Sequence, residues 1–78
     1  MNNTVEPRRV YKHFKGGLYY VFGIFEHTET GELFVAYQAL YEPYKNYIRP
    51  LESFTSRVDF KKYPNATQEY RFELYNNN

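Results

Sequence analysis

The chain has no cysteine and no tryptophan. Without cysteine there is no disulfide framework and no thiol nucleophile. Small secreted domains commonly depend on such bridges, so the absence points to a reducing compartment, the cytoplasm. No apolar run follows the first residues as it would in a secretory leader, and none approaches the length of a membrane span, so no membrane role is expected. Net charge is +1 at pH 7, with acids and bases interspersed. Bulk charge therefore supplies no strong pull toward nucleic acid or an anionic surface. No segment sustains a 3.6-residue period, and there is no internal repeat. The motifs of familiar chemistry are missing too: no Gly-x-Ser-x-Gly, no phosphate-binding glycine loop and no His-Glu-x-x-His helix. The expectation is a non-enzymatic protein with no catalytic residues, no resident metal and no cofactor.

What is present is aromatic. The 78 residues hold ten tyrosines and seven phenylalanines. A chain this short makes one domain and buries only about 60–65% of its unfolded surface. Each ring removes on the order of 150–250 Å² from water, so a few well-placed rings are enough for a core.

The stretch from Leu18 to Tyr41 organises the rest. Two apolar, β-branched and aromatic runs flank the polar segment from His27 to Glu32, which is a β-hairpin pattern. Glu29-Thr30-Gly31 fits a three-residue loop with glycine in the left-handed region. That loop sets Thr28 opposite Glu32, Phe25 opposite Val35, Gly23 opposite Tyr37, Val21 opposite Ala39 and Tyr19 opposite Tyr41. It turns Tyr19, Val21, Phe25, Val35 and Tyr37 inward, whereas a four-residue loop would reverse the faces. The other face, with Phe22, Ile24, Phe34 and Leu40, is also apolar, which suits a strongly bent or covered sheet.

Around the hairpin, Arg8 to Lys15 reads as a first strand and Gly16-Gly17 as its turn. Glu42 to Asn46 reads as a loop and Tyr47-Ile48-Arg49 as a short strand. Pro50 holds Arg49 extended and opens one helical turn carrying Leu51 and Phe54 on one side. Val58 and Phe60 have strand spacing, and Tyr70 to Leu74 alternates as a last strand. The fold expected is all-β: a small, partly open SH3-like barrel with one short helical turn. Residues 8–75 form the domain, with residues 1–7 and 76–78 as flexible tails.

These residues resemble a known family. Tyr11-x-His13-Phe14-Lys15-Gly16-Gly17-x-Tyr19-x-Val21, His27-Thr28-Glu29-Thr30-Gly31-Glu32, Val35-x-Tyr37-Gln38-Ala39-Leu40-Tyr41, Arg49-Pro50-Leu51-x-x-Phe54 and the Arg71-Phe72-Glu73 ending look like the small bacterial domain-of-unknown-function family number 1653. The resemblance implies a cytoplasmic SH3-like barrel and assigns no reaction, cofactor or partner. The chain departs from the family pattern at Phe25, where a small residue is usual, and at Tyr47, where tryptophan is usual.

Three surfaces are candidates for function. Tyr37, Tyr41, Tyr44 and Tyr47 straddle one loop, and Arg49 lies beside them. Aromatic grooves suit proline-rich peptides, and aromatic cages suit cations. Ile48 is expected inward, which turns Arg49 outward on the side of Tyr47, where its guanidinium fork offers itself to a carboxylate or phosphate. The structural alternative pairs Arg49 with Glu52 or Glu29. The leading expectation is a protein or small-molecule partner held by this tyrosine-rich surface. A second expectation is single-stranded nucleic acid on the basic–aromatic segment of Arg8, Arg9, Tyr11, Lys12, Phe14 and Lys15, against the plainer role of a charged edge strand. The third candidate, metal at His27 and Glu29, lacks further ligands and gives way to a hydrogen-bonded hairpin end.

Overall fold

A computed structural model describes residues 4–76. Its elements are β1 (Arg9–His13), β2 (Leu18–Glu26), β3 (Leu33–Ala39), β4 (Asn46–Pro50), the single turn α1 (Leu51–Phe54) and β5 (Phe72–Leu74). They form one antiparallel five-stranded sheet in the order β4-β3-β2-β1-β5. Among the described residues the sheet does not close through its backbone: β4 and β5 are its edges. The fold is all-β, and the open sheet is compatible with an SH3-like barrel.

Side chains join the two edges. Phe54, delivered by α1 just after β4, stacks on Phe72 of β5 with ring centroids 4.1 Å apart and planes 4° from parallel. Tyr11 meets Phe54 edge-on, and Tyr37 meets both phenylalanines the same way. With Val21 and Val35 these rings make the core, and Val5 and Leu51 pack against it. Edge-to-face pairs of this kind add about 0.5–1.5 kcal/mol each beyond the area they bury.

The buried Tyr11 hydroxyl is satisfied. It accepts from the Glu6 N–H at 2.7 Å and donates to the Thr4 carbonyl at 3.4 Å. With Val5 on the core, residues 4–7 are docked rather than a loose tail. Of the tails expected at residues 1–7 and 76–78, residues 1–3 and 77–78 lie outside the described residues.

The β2–β3 hairpin is where expected, but its register is not. The loop is residues 28–31, closed by the His27 N–H on the Glu32 carbonyl and by the Gly31 N–H on the His27 carbonyl, each at 2.8 Å. Gly31 takes φ 76°, the left-handed geometry expected of it. This four-residue loop sets Glu26 opposite Leu33, Phe25 opposite Phe34 and Ile24 opposite Val35. A β-bulge between Val21 and Gly23 then shifts the pairing, so that Val21 faces Tyr37 and Tyr19 faces Ala39. Gly23 carries the bulge at φ 154°. Two one-residue offsets add: the longer loop reverses the faces near the turn, and the extra residue makes the shift two and restores the faces toward the core. Val21, Val35 and Tyr37 are therefore buried, and Tyr19 half-buried, as expected. Phe25 alone is turned out, at 54% exposure, so no core has to accommodate its ring.

Two further expectations fail. Tyr47 faces Tyr37 and Arg49 faces Val35, so Tyr47 and Arg49 share the inner side, and Ile48 lies outside at 67% exposure. Arg49 tolerates the inner side because Tyr37 and Ser53 accept from two of its donors there and the Phe72 ring faces its guanidinium. Nor do residues 55–60 form a strand. A lone bridge joins Arg57 to Tyr70, after which Asp59 turns the chain. Its carboxylate accepts from the Lys61 N–H at 3.1 Å, and its carbonyl accepts from the Tyr63 N–H at 2.8 Å. Val58 is still buried, but the segment runs back over the end of β1 instead of extending the sheet. Gln68 ties it there through a 2.9 Å bond to the Lys12 carbonyl.

Candidate functional site

This fold-back builds a pocket of about 380 Å³ between the two sheet edges. The end of β1 and the turn after it supply His13, Phe14 and Lys15. Arg49 comes from β4, Arg57 and Lys62 from the returning segment, and Arg71 from the residue before β5.

Arg49 is held at two points: Nε donates to the Tyr37 hydroxyl at 3.1 Å and Nη1 to Ser53 Oγ at 3.2 Å. Its guanidinium lies 5.8 Å from the Phe72 ring centroid. Arg71 Nε donates to Ser56 Oγ at 3.2 Å. Both arginines are half-buried, and among the described residues neither is paired with a carboxylate. The pairing with Glu52 or Glu29 considered for Arg49 does not occur. Arg57 has a loose, exposed partner in Glu69 at 3.5 Å. Asp59, an acid in the pocket wall, is engaged with backbone N–H groups of its own turn.

His13 records this environment. Its ring stacks on Phe14 at 4.6 Å and meets Phe72 edge-on at 4.9 Å. Burial, followed by the charges of Arg71, Arg49 and Lys15, pushes its pKa down to about 4. At neutral pH the imidazole is uncharged. Nδ1 accepts from the Lys15 N–H at 3.1 Å, which leaves the ring proton on Nε2 as a donor.

An aromatic shelf adjoins the pocket. Phe14 and Tyr63 meet edge-on at 4.9 Å. The ammonium groups of Lys15 and Lys62 stand 5.0 and 5.5 Å from the Tyr63 centroid. Lys15 beside it draws the Tyr63 phenol below its ordinary pKa.

The tyrosine candidates divide. Tyr37 is removed from the surface set: it is 4% exposed and serves the core and Arg49. Tyr41, Tyr44 and Tyr47 are exposed. Tyr41 bonds the Tyr19 hydroxyl at 2.5 Å, and this bond together with burial raises the Tyr19 pKa, burial being the larger cause. Tyr47 lies against Tyr37, centroids 5.7 Å apart. Through Tyr37 and Arg49 this cluster borders the basic pocket.

The basic–aromatic segment divides as well. Tyr11 is 2% exposed and is unavailable to stack a base. Arg8, Arg9 and Lys12 are exposed, with Arg9 paired to Glu6 at 2.8 Å, while Phe14 and Lys15 belong to the pocket. His27 Nδ1 accepts from the Glu29 N–H at 3.2 Å, which is the hydrogen-bonded hairpin end expected there. No cluster of metal-ligating side chains occurs among the described residues.

Arg57, Lys62, Tyr63 and Arg71 were not among the sequence candidates. Each is unremarkable in its own segment: β1–β5 pairing sets Arg71 beside Phe14, and the fold-back brings Arg57, Lys62 and Tyr63 to it. A signal did exist: His13, Phe14, Lys15, Arg49 and Arg71 all belong to the motifs that carry the family resemblance.

Fold and site define a small all-β domain, an open five-stranded sheet with a basic pocket between its edges. No helix among the described residues is long and apolar enough to cross a membrane. The chain belongs to the family described as "Protein of unknown function (DUF1653)", which matches residues 9–74. A crystal structure of a DUF1653 protein from Bordetella bronchiseptica is 28% identical and superposes with a TM-score of 0.77, over 100% of this chain and 96% of that one. No curated protein matches the chain.

Proposed function

We propose that this domain is a non-catalytic binding module whose ligand places an anionic group between Arg49, Arg71 and His13. One observation carries the reading: two half-buried guanidinium groups face one pocket, and among the described residues neither is ion-paired with a carboxylate. Concentrating cations in a partly desolvated site costs free energy that an anion would recover. Arg49 is pre-set by Tyr37 and Ser53, and Arg71 by Ser56, so little side-chain freedom is lost on binding. His13 adds a neutral N–H donor. As a base it is weak, with its pKa near 4 and Nδ1 already occupied, which favours binding over proton transfer. Exposed Tyr41 and Tyr47 form the neighbouring rim and would contact the remainder of a larger ligand or peptide.

Isothermal titration with inorganic phosphate at low ionic strength tests this. Binding that weakens as salt rises, and that falls at least tenfold in Arg71→Gln, is the expected result. A wild-type protein that takes up no phosphate at low salt contradicts it.

A further inference from the structure

The basic pocket shares a wall with a second cavity of about 340 Å³. Phe14, Lys15, Lys62 and Tyr63 line both, and the second cavity adds Pro64 and Asn65. One compartment is therefore dominated by cations and the other by rings, with two lysines on their boundary. Resting on the anion reading above, we propose that the ligand is a nucleotide, with its phosphate in the Arg49–Arg71 pocket and its base on the Phe14–Tyr63 shelf.

Charge favours a phosphomonoester over a carboxylate. Arg49, Arg57, Arg71, Lys15 and Lys62 face a pocket whose one lining acid, Asp59, is committed to its own turn. Even with Arg57 paired to Glu69 and Asp59 in the wall, a single negative charge would leave the set positive. A phosphomonoester brings about −1.5 to −2 and three acceptor oxygens, which suit the forks of two arginines. The shelf supplies the rest of the selectivity. A base has a π-face that any aromatic side chain accepts, and the lysines over Tyr63 sit where they can turn toward phosphate oxygens. Asn65 brings an amide, donor and acceptor together, to the rim where a base edge would lie. The size agrees: adjoining cavities of about 380 and 340 Å³ fall within the range of small-ligand sites.

The test compares inorganic phosphate, adenosine, AMP and tetra-adenylate with and without a 5′-phosphate, by titration calorimetry on the whole chain. AMP should bind at least tenfold more tightly than inorganic phosphate, and adenosine more weakly than AMP. Tyr63→Leu should remove the gain from the base, so that AMP binds no more tightly than inorganic phosphate does to the same variant. Phe14→Leu should do the same, and serves if Tyr63→Leu fails to fold. The oligonucleotides separate the sources of the same chemistry. Preference for the 5′-phosphorylated strand over AMP assigns a strand end, and equal affinity assigns the free nucleotide. Phosphate binding with no gain from AMP or the phosphorylated strand overturns the nucleotide assignment alone, as does a gain that survives loss of the shelf. Absence of phosphate binding overturns both readings.

Discussion

Arg49 Nε donates to the Tyr37 hydroxyl at 3.1 Å, from an edge strand into the most buried part of the tyrosine cluster. That bond satisfies the tyrosine, fixes the guanidinium over Phe72 and aims the rest of the fork into the basic pocket. Arg49→Lys keeps the charge but gives up the planar fork, leaving the Tyr37 hydroxyl without its donor. The expected cost is about 1–2 kcal/mol, read as a lower urea midpoint at constant m-value. An unchanged midpoint would mean that the bond contributes nothing to folding.

The register of the hairpin has its own test. Phe25→Thr should change stability by no more than about 0.5 kcal/mol, because the ring is already in water. Phe54→Ala removes one member of the stack that joins the sheet edges, and should cost about 3–5 kcal/mol, enough to unfold much of a small domain. Comparable losses from both variants would show that Phe25 is packed.

Gly23 holds the bulge at φ 154°, and a Cβ placed there meets Pro7 and Phe25 only at ordinary contact distances, 3.7 and 3.8 Å. Strain from Gly23→Ala is therefore strain of the backbone, not of packing. A loss of about 1–2 kcal/mol in thermal or urea unfolding is expected. A neutral or stabilising result would place the bulge elsewhere.

Much of this fold can be read from local sequence, and the reasons for the rest are physical. The hairpin, the glycine at its tip and the helical turn after Pro50 depend on neighbouring residues, and all were expected. Register was not, because the longer loop and the bulge are separate one-residue offsets: they add to two at Val21, which restores its face, while Phe25 feels only the first and is turned out. Ile48 and Arg49 were inverted by the rule that the apolar residue faces inward. The rule gives way here because Tyr37, Ser53 and the face of Phe72 together accommodate a guanidinium. The pocket was hidden for a different reason. Its residues lie near positions 13, 49, 57–63 and 71, and they meet because β5 pairs with β1, β4 turns Arg49 inward and Asp59 turns the chain back over β1.

His13 gives the unliganded protein a pH dependence. Its folded pKa, about 4, lies below the ordinary histidine value near 6.5. Between those values the unfolded chain binds the proton that the folded chain refuses, so stability falls as pH drops from about 6.5 toward 4 and this contribution levels off below. His13→Gln should flatten that part of the profile. An unchanged slope in the variant would assign the pH dependence to other groups.

The most direct measurement of the central claim is the pKa of the His13 imidazole, followed by NMR with and without saturating inorganic phosphate. Burial and the charges of Arg71, Arg49 and Lys15 hold it down in the free protein. An anion seated among them cancels part of that field, so phosphate should raise the pKa well above 4, and Arg71→Gln should abolish the increase that phosphate causes. A His13 pKa that stays near 4 in phosphate, with the protein folded, would contradict an anion seat between Arg49 and Arg71.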